Sequence, residues 1–126
     1  MIGKLLLFVR KIDYIGKKYV LGGIGGVTVR ESYRKRGFAT ELVRVSDKIL
    51  KEYGCDFSIF TPLDEGGEKF YIGLGYEKFE RGYSYTGRSG NVYFNRDTVI
   101  KYFVDDSRMH LFKKSSESLH IGEYNY

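Results

Sequence analysis

Residues 19–61 constrain this chain more than any other stretch. An apolar, glycine-rich strand (YVLGGIGGVTV) runs into a short basic turn (RESYRKRGFA) and then an amphipathic helix (TELVRVSDKILKEY). After Gly54 a second apolar strand, DFSIFT, begins and is ended by Pro62. Strand, helix and strand in that order imply a right-handed crossover between two parallel strands. The turn leads directly into the helix, so the first free N–H groups of that helix point at whatever sits over residues 34–39. Those donors, the positive end of the helix dipole and the Arg34, Lys35 and Arg36 charges all favour a phosphate or pyrophosphate. Basic residues are disfavoured at a helix N-terminus, so three of them there imply an anion to hold. Gly37 lets that anion approach the backbone.

The flanking segments extend this unit into an α+β domain. Residues 4–13 and 18–29 read as an antiparallel hairpin around a turn at 14–17. Gly22, Gly23, Gly25 and Gly26 in its second strand mark a bulge, a bend or a close backbone approach. The helix over 37–53 presents Phe38, Leu42, Val45, Ile49 and Tyr53 as its buried face. A shorter helix is expected over 65–74, with Phe70, Ile72 and Leu74 apolar, then strands at 76–85, 92–94 and 98–104 around a turn-rich loop at 86–91. Residues 107–126 carry no assignable pattern. The chain shows no repeat, linker or low-complexity tract, so residues 1–126 read as one domain.

Composition narrows the class. Apolar residues make up 42% and aromatics 17%, enough for a core and against disorder. No apolar run reaches the roughly 20 residues of a membrane helix, and residues 4–9 are too short for a signal-peptide core. A single cysteine, Cys55, allows neither a disulfide framework nor a cysteine metal cluster and reads as an inert core thiol. His110 and His120 read as surface or locally satisfied side chains rather than metal ligands. These features lead to the expectation of a cytoplasmic protein with no metal, no membrane contact and no nucleic-acid partner. The net charge of +5 is uneven. Residues 1–53 hold 12 Lys and Arg against 5 Asp and Glu, and residues 54–126 hold 9 against 11. That asymmetry suits an anionic cofactor beside a cationic substrate.

Two nucleotide motifs fail. Gly23-x-Gly25 has Thr28 where a dinucleotide fingerprint needs its third glycine, and there is no Gly-Lys-Ser/Thr for a P-loop. Instead, R-x-x-G-x-A at Arg34, Gly37 and Ala39 is followed, past the second parallel strand, by Phe70-Tyr71-x-x-x-Gly75-Tyr76. Two motifs in this order resemble the GNAT superfamily of acyl-coenzyme A-dependent N-acetyltransferases over residues 4–79, and more loosely to 104. The hairpin is most similar to the aminoglycoside N-acetyltransferase branch. The resemblance implies a mixed, mostly antiparallel sheet containing a splayed parallel pair. It also implies acetyl-CoA as cosubstrate, with backbone N–H groups of residues 35–40 (Lys35, Arg36, Gly37, Phe38, Ala39 and Thr40) on the pyrophosphate and Arg34 and Arg36 adding charge. Val27 and Val29 align with the backbone that pairs with the pantetheine arm, the Val29 N–H with an oxyanion donor, and Tyr71 with the tyrosine that protonates the departing thiolate.

Direct transfer to a small-molecule or peptide primary amine also needs a base, directly or through water. The strand 19–29 has no Asp or Glu, which leaves Glu31, Asp56 or the C-terminal carboxylate. The family ordinarily has a strand, two helices and another strand ahead of the first strand found here, so the expected fold is an N-terminally truncated one. A bare sheet edge and an uncovered face lead to an expected homodimer. A non-catalytic acyl-CoA sensor on the same scaffold is the second reading. An RNA-binding module using Arg30, Arg34, Lys35 and Arg36 with exposed tyrosines is the third.

Overall fold

A computed structural model describes residues 3–29, 37–62 and 64–123, with the backbone alone at 26–29 and 123. The hairpin consists of β1 (Gly3–Tyr14) and β2 (Lys17–Val29), closed by Ile15 and Gly16 with φ of 47° and 73°. Positive φ at both central residues matches the right-handed twist of the strands it joins. Then follow α1 (Phe38–Glu52), β3 (Phe57–Phe60), α2 (Glu65–Gly73), β4 (Glu77–Phe79), β5 (Tyr83–Thr86), β6 (Val92–Asn95), β7 (Thr98–Tyr102), α3 (Ser107–Lys114) and β8 (His120–Glu123). One sheet has the order β1-β2-β3-β7-β4 and a smaller one the order β6-β5-β8. In the larger sheet only β2 and β3 run parallel. The α+β class and the crossover are therefore as the sequence implies.

Two core clusters lie on opposite faces of the larger sheet. On one face α1 and α2 enclose Ile24, Val43, Leu50, Cys55, Tyr71, Tyr76 and Val99. Gly22 allows this close packing, since a Cβ there would lie 3.1 Å from Leu50 Cδ1 and 3.2 Å from Cys55 Sγ. Burial pushes the Cys55 thiol up from its ordinary 9.0 to about 11. Above 9.0 the thiol of the unfolded chain ionises while the folded one keeps its proton until about 11, so folding stability falls as pH rises through that window. Cys55→Ala is expected to flatten this alkaline decline, measured by urea unfolding below 9.0 and near 11.

The opposite face is where the sequence expectation fails. It is covered by the chain's own C-terminal part. Met109 and Phe112 of α3, Leu119, Ile121 of β8 and Tyr83 of β5 pack against Ile12, Tyr14, Tyr19, Leu21, Phe57, Ile59 and Ile100. The unassigned segment after residue 106 thus supplies a helix and a strand. Among the described residues, the face expected to be uncovered is thus covered from within the chain.

Two further readings change. The strand expected over 76–85 is two strands in different sheets, broken at Gly82, where φ is 62° and a Cβ would lie 2.1 Å from the Asn95 carbonyl oxygen. The buried face of α1 is Val43, Ser46, Asp47 and Leu50, whereas Val45 and Tyr53 are 52% and 71% exposed. The apolar stripe counted from sequence is displaced by about one residue, because the true inner face carries two polar side chains with partners inside the protein.

Candidate active site

The β2–β3 ladder is short. It pairs Leu21 with Phe57, Gly22 with Ser58 and Gly23 with Ile59, and ends there. β2 runs on to Val29 alongside β1 alone. Between Lys4↔Thr28 and Leu6↔Gly25 the register shifts, so β2 carries one extra residue around Gly26 and Val27. This bulge is one of the readings the glycine run allowed, and it re-aims the backbone of the segment that leaves β3. Val27 and Val29 lie in this segment, beyond the last rung shared with β3.

The helix that follows starts without a side-chain cap. Gly37 occupies its N-terminal cap at φ 80°, and its carbonyl oxygen accepts from Glu41 N at 3.1 Å. The first-turn N–H groups of Ala39 and Thr40 have no intrahelical acceptor by geometry. In α2 and α3 an aspartate side chain fills the equivalent place. Asp64 accepts from Gly67 N at 2.8 Å, and Asp106 from Met109 N at 2.9 Å. Arg34, Lys35 and Arg36 lie outside the described residues, as does Glu31.

Tyr71 projects from α2 into the core beneath α1 and is 3% exposed. Its ring lies tilted against Phe60 at 4.4 Å and meets Phe70 and Tyr76 edge-on at 5.2 and 5.4 Å. Its hydroxyl is the one buried side-chain polar atom without a hydrogen-bond partner among the described residues. Burial, and secondarily the Asp47 charge, push its phenol far above the ordinary value. Tyr71 therefore keeps its proton at any working pH and can donate but not abstract.

Sequence reasoning missed the group that fixes this wall. Asp47 accepts from Tyr76 Oη at 2.8 Å and from Lys101 Nζ at 3.0 Å. Tyr76 has one hydroxyl proton and gives it to the carboxylate, so Ser58 Oγ donates to Tyr76 at 2.9 Å. Lys101 also donates to the Leu74 carbonyl at 2.9 Å, tying down the end of α2. A charged residue four positions after Val43 on an amphipathic helix is the signal that could have pointed here. Asp56, one of the three candidate bases, is committed elsewhere: its carboxylate accepts from Val20 N and from both terminal nitrogens of Arg108. A cavity of about 300 Å³ opens beyond β3, lined by Pro62, Asp64, Glu65, Glu68, Lys78 and Asp97. Its carboxylates include the α2 cap and the partner of the Glu68–Lys78 ion pair. His110 pairs with Asp105, and His120 with Ser84 and Thr86. No cluster of three metal-ligating side chains occurs among the described residues.

Residues 1–79 match the sequence profile of the acetyltransferase (GNAT) domain. The chain belongs to the GNAT acetyltransferase family. Solved structures agree at the level of the fold. An acetyltransferase of the GNAT family from Staphylococcus aureus Mu50 superposes with a TM-score of 0.60 at 16% identity, over 82% of this chain and 61% of that one. A chain of the NatC complex bound to Gag peptide and CoA gives 0.57 at 20% identity, over 82% and 62%. A GCN5-related N-acetyltransferase from Kribbella flavida gives 0.55 at 25% identity, over 66% and 20%. This GNAT chain thus spans about three fifths, or less, of these neighbours. Among curated proteins none matches the sequence significantly. No helix among the described residues is long and apolar enough to cross a membrane.

Proposed function

We propose that this protein transfers an acetyl group from acetyl-CoA to a primary amine by direct attack. The observation that carries the reading is the parting of β2 from β3 after Gly23 and Ile59, which leaves backbone donors and acceptors of β2 unpaired on the β3 side. The next described element along the chain is α1, whose N-terminus has no side-chain cap. A ligand with an amide-bearing arm and a pyrophosphate fits that sequence of groups. The arm pairs with the backbone at Val27 and Val29, and the pyrophosphate meets the N–H groups of residues 35–40. The basic residues Arg34, Lys35 and Arg36 add attraction there. Acetyl-CoA supplies the activated thioester. The chain's own contributions are the Val29 N–H, which holds the carbonyl oxygen as charge grows on it, and the Tyr71 hydroxyl, which delivers a proton to the departing sulfur and is restored by the proton that the attacking amine gives up through water.

The chemistry predicts an unusual split for Tyr71→Phe. The hydroxyl has no partner to lose, so removing it leaves stability unchanged or slightly higher. Turnover is expected to fall about 10²- to 10⁴-fold with little change in acetyl-CoA affinity. Equal rates for the two proteins would remove Tyr71 from the mechanism. A non-catalytic acyl-CoA sensor is the second reading, favoured by the enclosure of that same hydroxyl among Phe60, Phe70 and Tyr76. Thiol release measured with a panel of polyamines, aminoglycosides and peptides separates the two and names the acceptor class. Binding of acetyl-CoA with no release for any amine supports the sensor.

A further inference from the structure

We propose that Asp47 is a positioning residue for the transfer step, acting through Tyr71. This role rests on Tyr71 being the proton donor proposed above. Asp47 lies on the inner face of α1 with its side chain 8% exposed, and both of its carboxylate oxygens are engaged. One accepts from Tyr76 Oη at 2.8 Å and the other from Lys101 Nζ at 3.0 Å. Through these two partners one carboxylate reaches every element of the candidate site. Tyr76 Oη is bonded at 2.9 Å to Ser58, the β3 residue next to Ile59, where the ladder with β2 ends. Lys101 Nζ donates at 2.9 Å to the carbonyl of Leu74, the residue that closes α2. Asp47 itself belongs to α1, the helix with the uncapped N-terminus.

Tyr71 is held by these same partners. Its hydroxyl makes no hydrogen bond among the described residues, so no polar contact there sets its place. The ring is placed instead by its neighbours, and one of them, Tyr76, meets it edge-on at 5.4 Å. The Tyr71 carbonyl accepts from Leu74 N at 3.0 Å and from Tyr76 N at 3.1 Å. The carbonyl fixed by Lys101 is therefore one helical turn from Tyr71, and the phenol fixed by Asp47 lies against its ring. Gly75, between the two, has φ 97°, and a Cβ there would lie 3.3 Å from both Cε and Nζ of Lys101. Glycine at this position lets the ammonium reach the end of α2. The Gly75-Tyr76 half of the second sequence motif thus builds the support for Tyr71, and Tyr76 serves through its hydroxyl as well as its ring.

A buried ion pair is a weak device for stability, and apolar residues of the same volume do as well or better. A fully satisfied buried network instead fixes one arrangement of the groups it joins. That property matters for a proton donor, since a displacement of about 1 Å costs about 10²-fold in rate.

Thiol release from acetyl-CoA, with the amine panel above as acceptors, tests the role. Asp47→Asn keeps the size of the side chain and an oxygen for Tyr76, but its amide nitrogen cannot accept from Lys101. It is expected to lower turnover about 10²-fold with an unchanged KM for acetyl-CoA. Lys101→Met is expected to act in the same direction and less, because Tyr76 stays on the carboxylate; it decides the matter if Asp47→Asn does not fold. In a Tyr71→Phe background neither substitution is expected to lower turnover further. A merely structural role gives the same fold loss in both backgrounds, and that result overturns the role of Asp47 while leaving Tyr71 in place. Parent-like turnover in both single variants does the same. A Tyr71→Phe protein at the parent rate, or a parent protein that binds acetyl-CoA and releases thiol with none of the amines, overturns the catalytic reading and the role of Asp47 together.

Discussion

Gly37→Glu is expected to remove about half or more of the thermal stabilisation conferred by acetyl-CoA. Gly37 sits at φ 80°, and no atom of the described residues lies within 4 Å of where a Cβ would project. The substitution therefore acts through charge and backbone preference rather than through a clash with the described residues. A left-handed conformation costs a side-chain-bearing residue about 1–2 kcal/mol. A carboxylate at the start of α1 then opposes the bound anion and competes for the same N–H groups. The loss of a charge-assisted interaction is about 1.5–3 kcal/mol, or roughly a 10- to 100-fold weaker Kd. At a ligand concentration of about 100 Kd the stabilisation is about 2.7 kcal/mol, and a hundredfold weaker Kd leaves less than about 0.5 kcal/mol of it. Gly37→Asn separates the two causes, since asparagine tolerates the left-handed region without charge. It is expected to keep a substantial part of the shift. A full shift retained by Gly37→Glu would place the pyrophosphate elsewhere.

The parts of this fold that were legible in the sequence are those whose signals are local. The β1–β2 hairpin follows from two apolar runs around Ile15-Gly16, and the stop of α1 from Gly54, whose φ is 79°. The order β2, α1, β3 carries the crossover with it. The glycine run in β2 announced both a close approach, at Gly22, and a bulge, near Gly26. What failed depended on distant partners. The inner face of α1 holds Asp47, whose partners Tyr76 and Lys101 are 29 and 54 residues further along the chain. A count of apolar positions alone places such a residue outside.

The division of 76–85 into β4 and β5 rests on a steric contact between Gly82 and Asn95, across the β5–β6 hairpin. Local alternation cannot reveal it. At the site, the motifs located Tyr71, Gly37 and the strand bearing Val27 and Val29. They did not reveal that Asp56 is committed to Arg108, because its neighbours in sequence hold no partner for it. The C-terminal segment was opaque for a related reason. Its two apolar anchors in α3, Met109 and Phe112, are too few to set a period, and their packing partners lie in β1, β2, β3 and β7.

Arg108→Ala is expected to be the most destabilising single change at the boundary between that segment and the family core. Asp56 is nearly enclosed, its side chain 6% exposed, while that of Arg108 is 31% exposed. The guanidinium gives two hydrogen bonds to the carboxylate and a third to the Lys18 carbonyl at 2.7 Å, and lies 5.1 Å over the Tyr19 ring. Tyr19 returns its hydroxyl proton to the Arg108 carbonyl at 2.7 Å. The pair thus joins α3 to the start of β2 and to the residue just before β3. Without the guanidinium, the carboxylate keeps only the Val20 N–H at 2.7 Å. A buried charge stripped of its partner costs about 3–5 kcal/mol, which for a domain of this size lowers Tm by roughly 10–20 °C. Asp56→Asn is expected to cost less, because the half-exposed guanidinium reaches water and the amide oxygen still accepts. Replacing both residues by apolar ones of similar volume is expected to recover part of the loss, since it removes the unpaired charge. Urea unfolding with an unchanged m-value checks the comparison. An Arg108→Ala midpoint equal to that of the parent protein would mean that α3 is carried by its apolar contacts at Met109 and Phe112 alone.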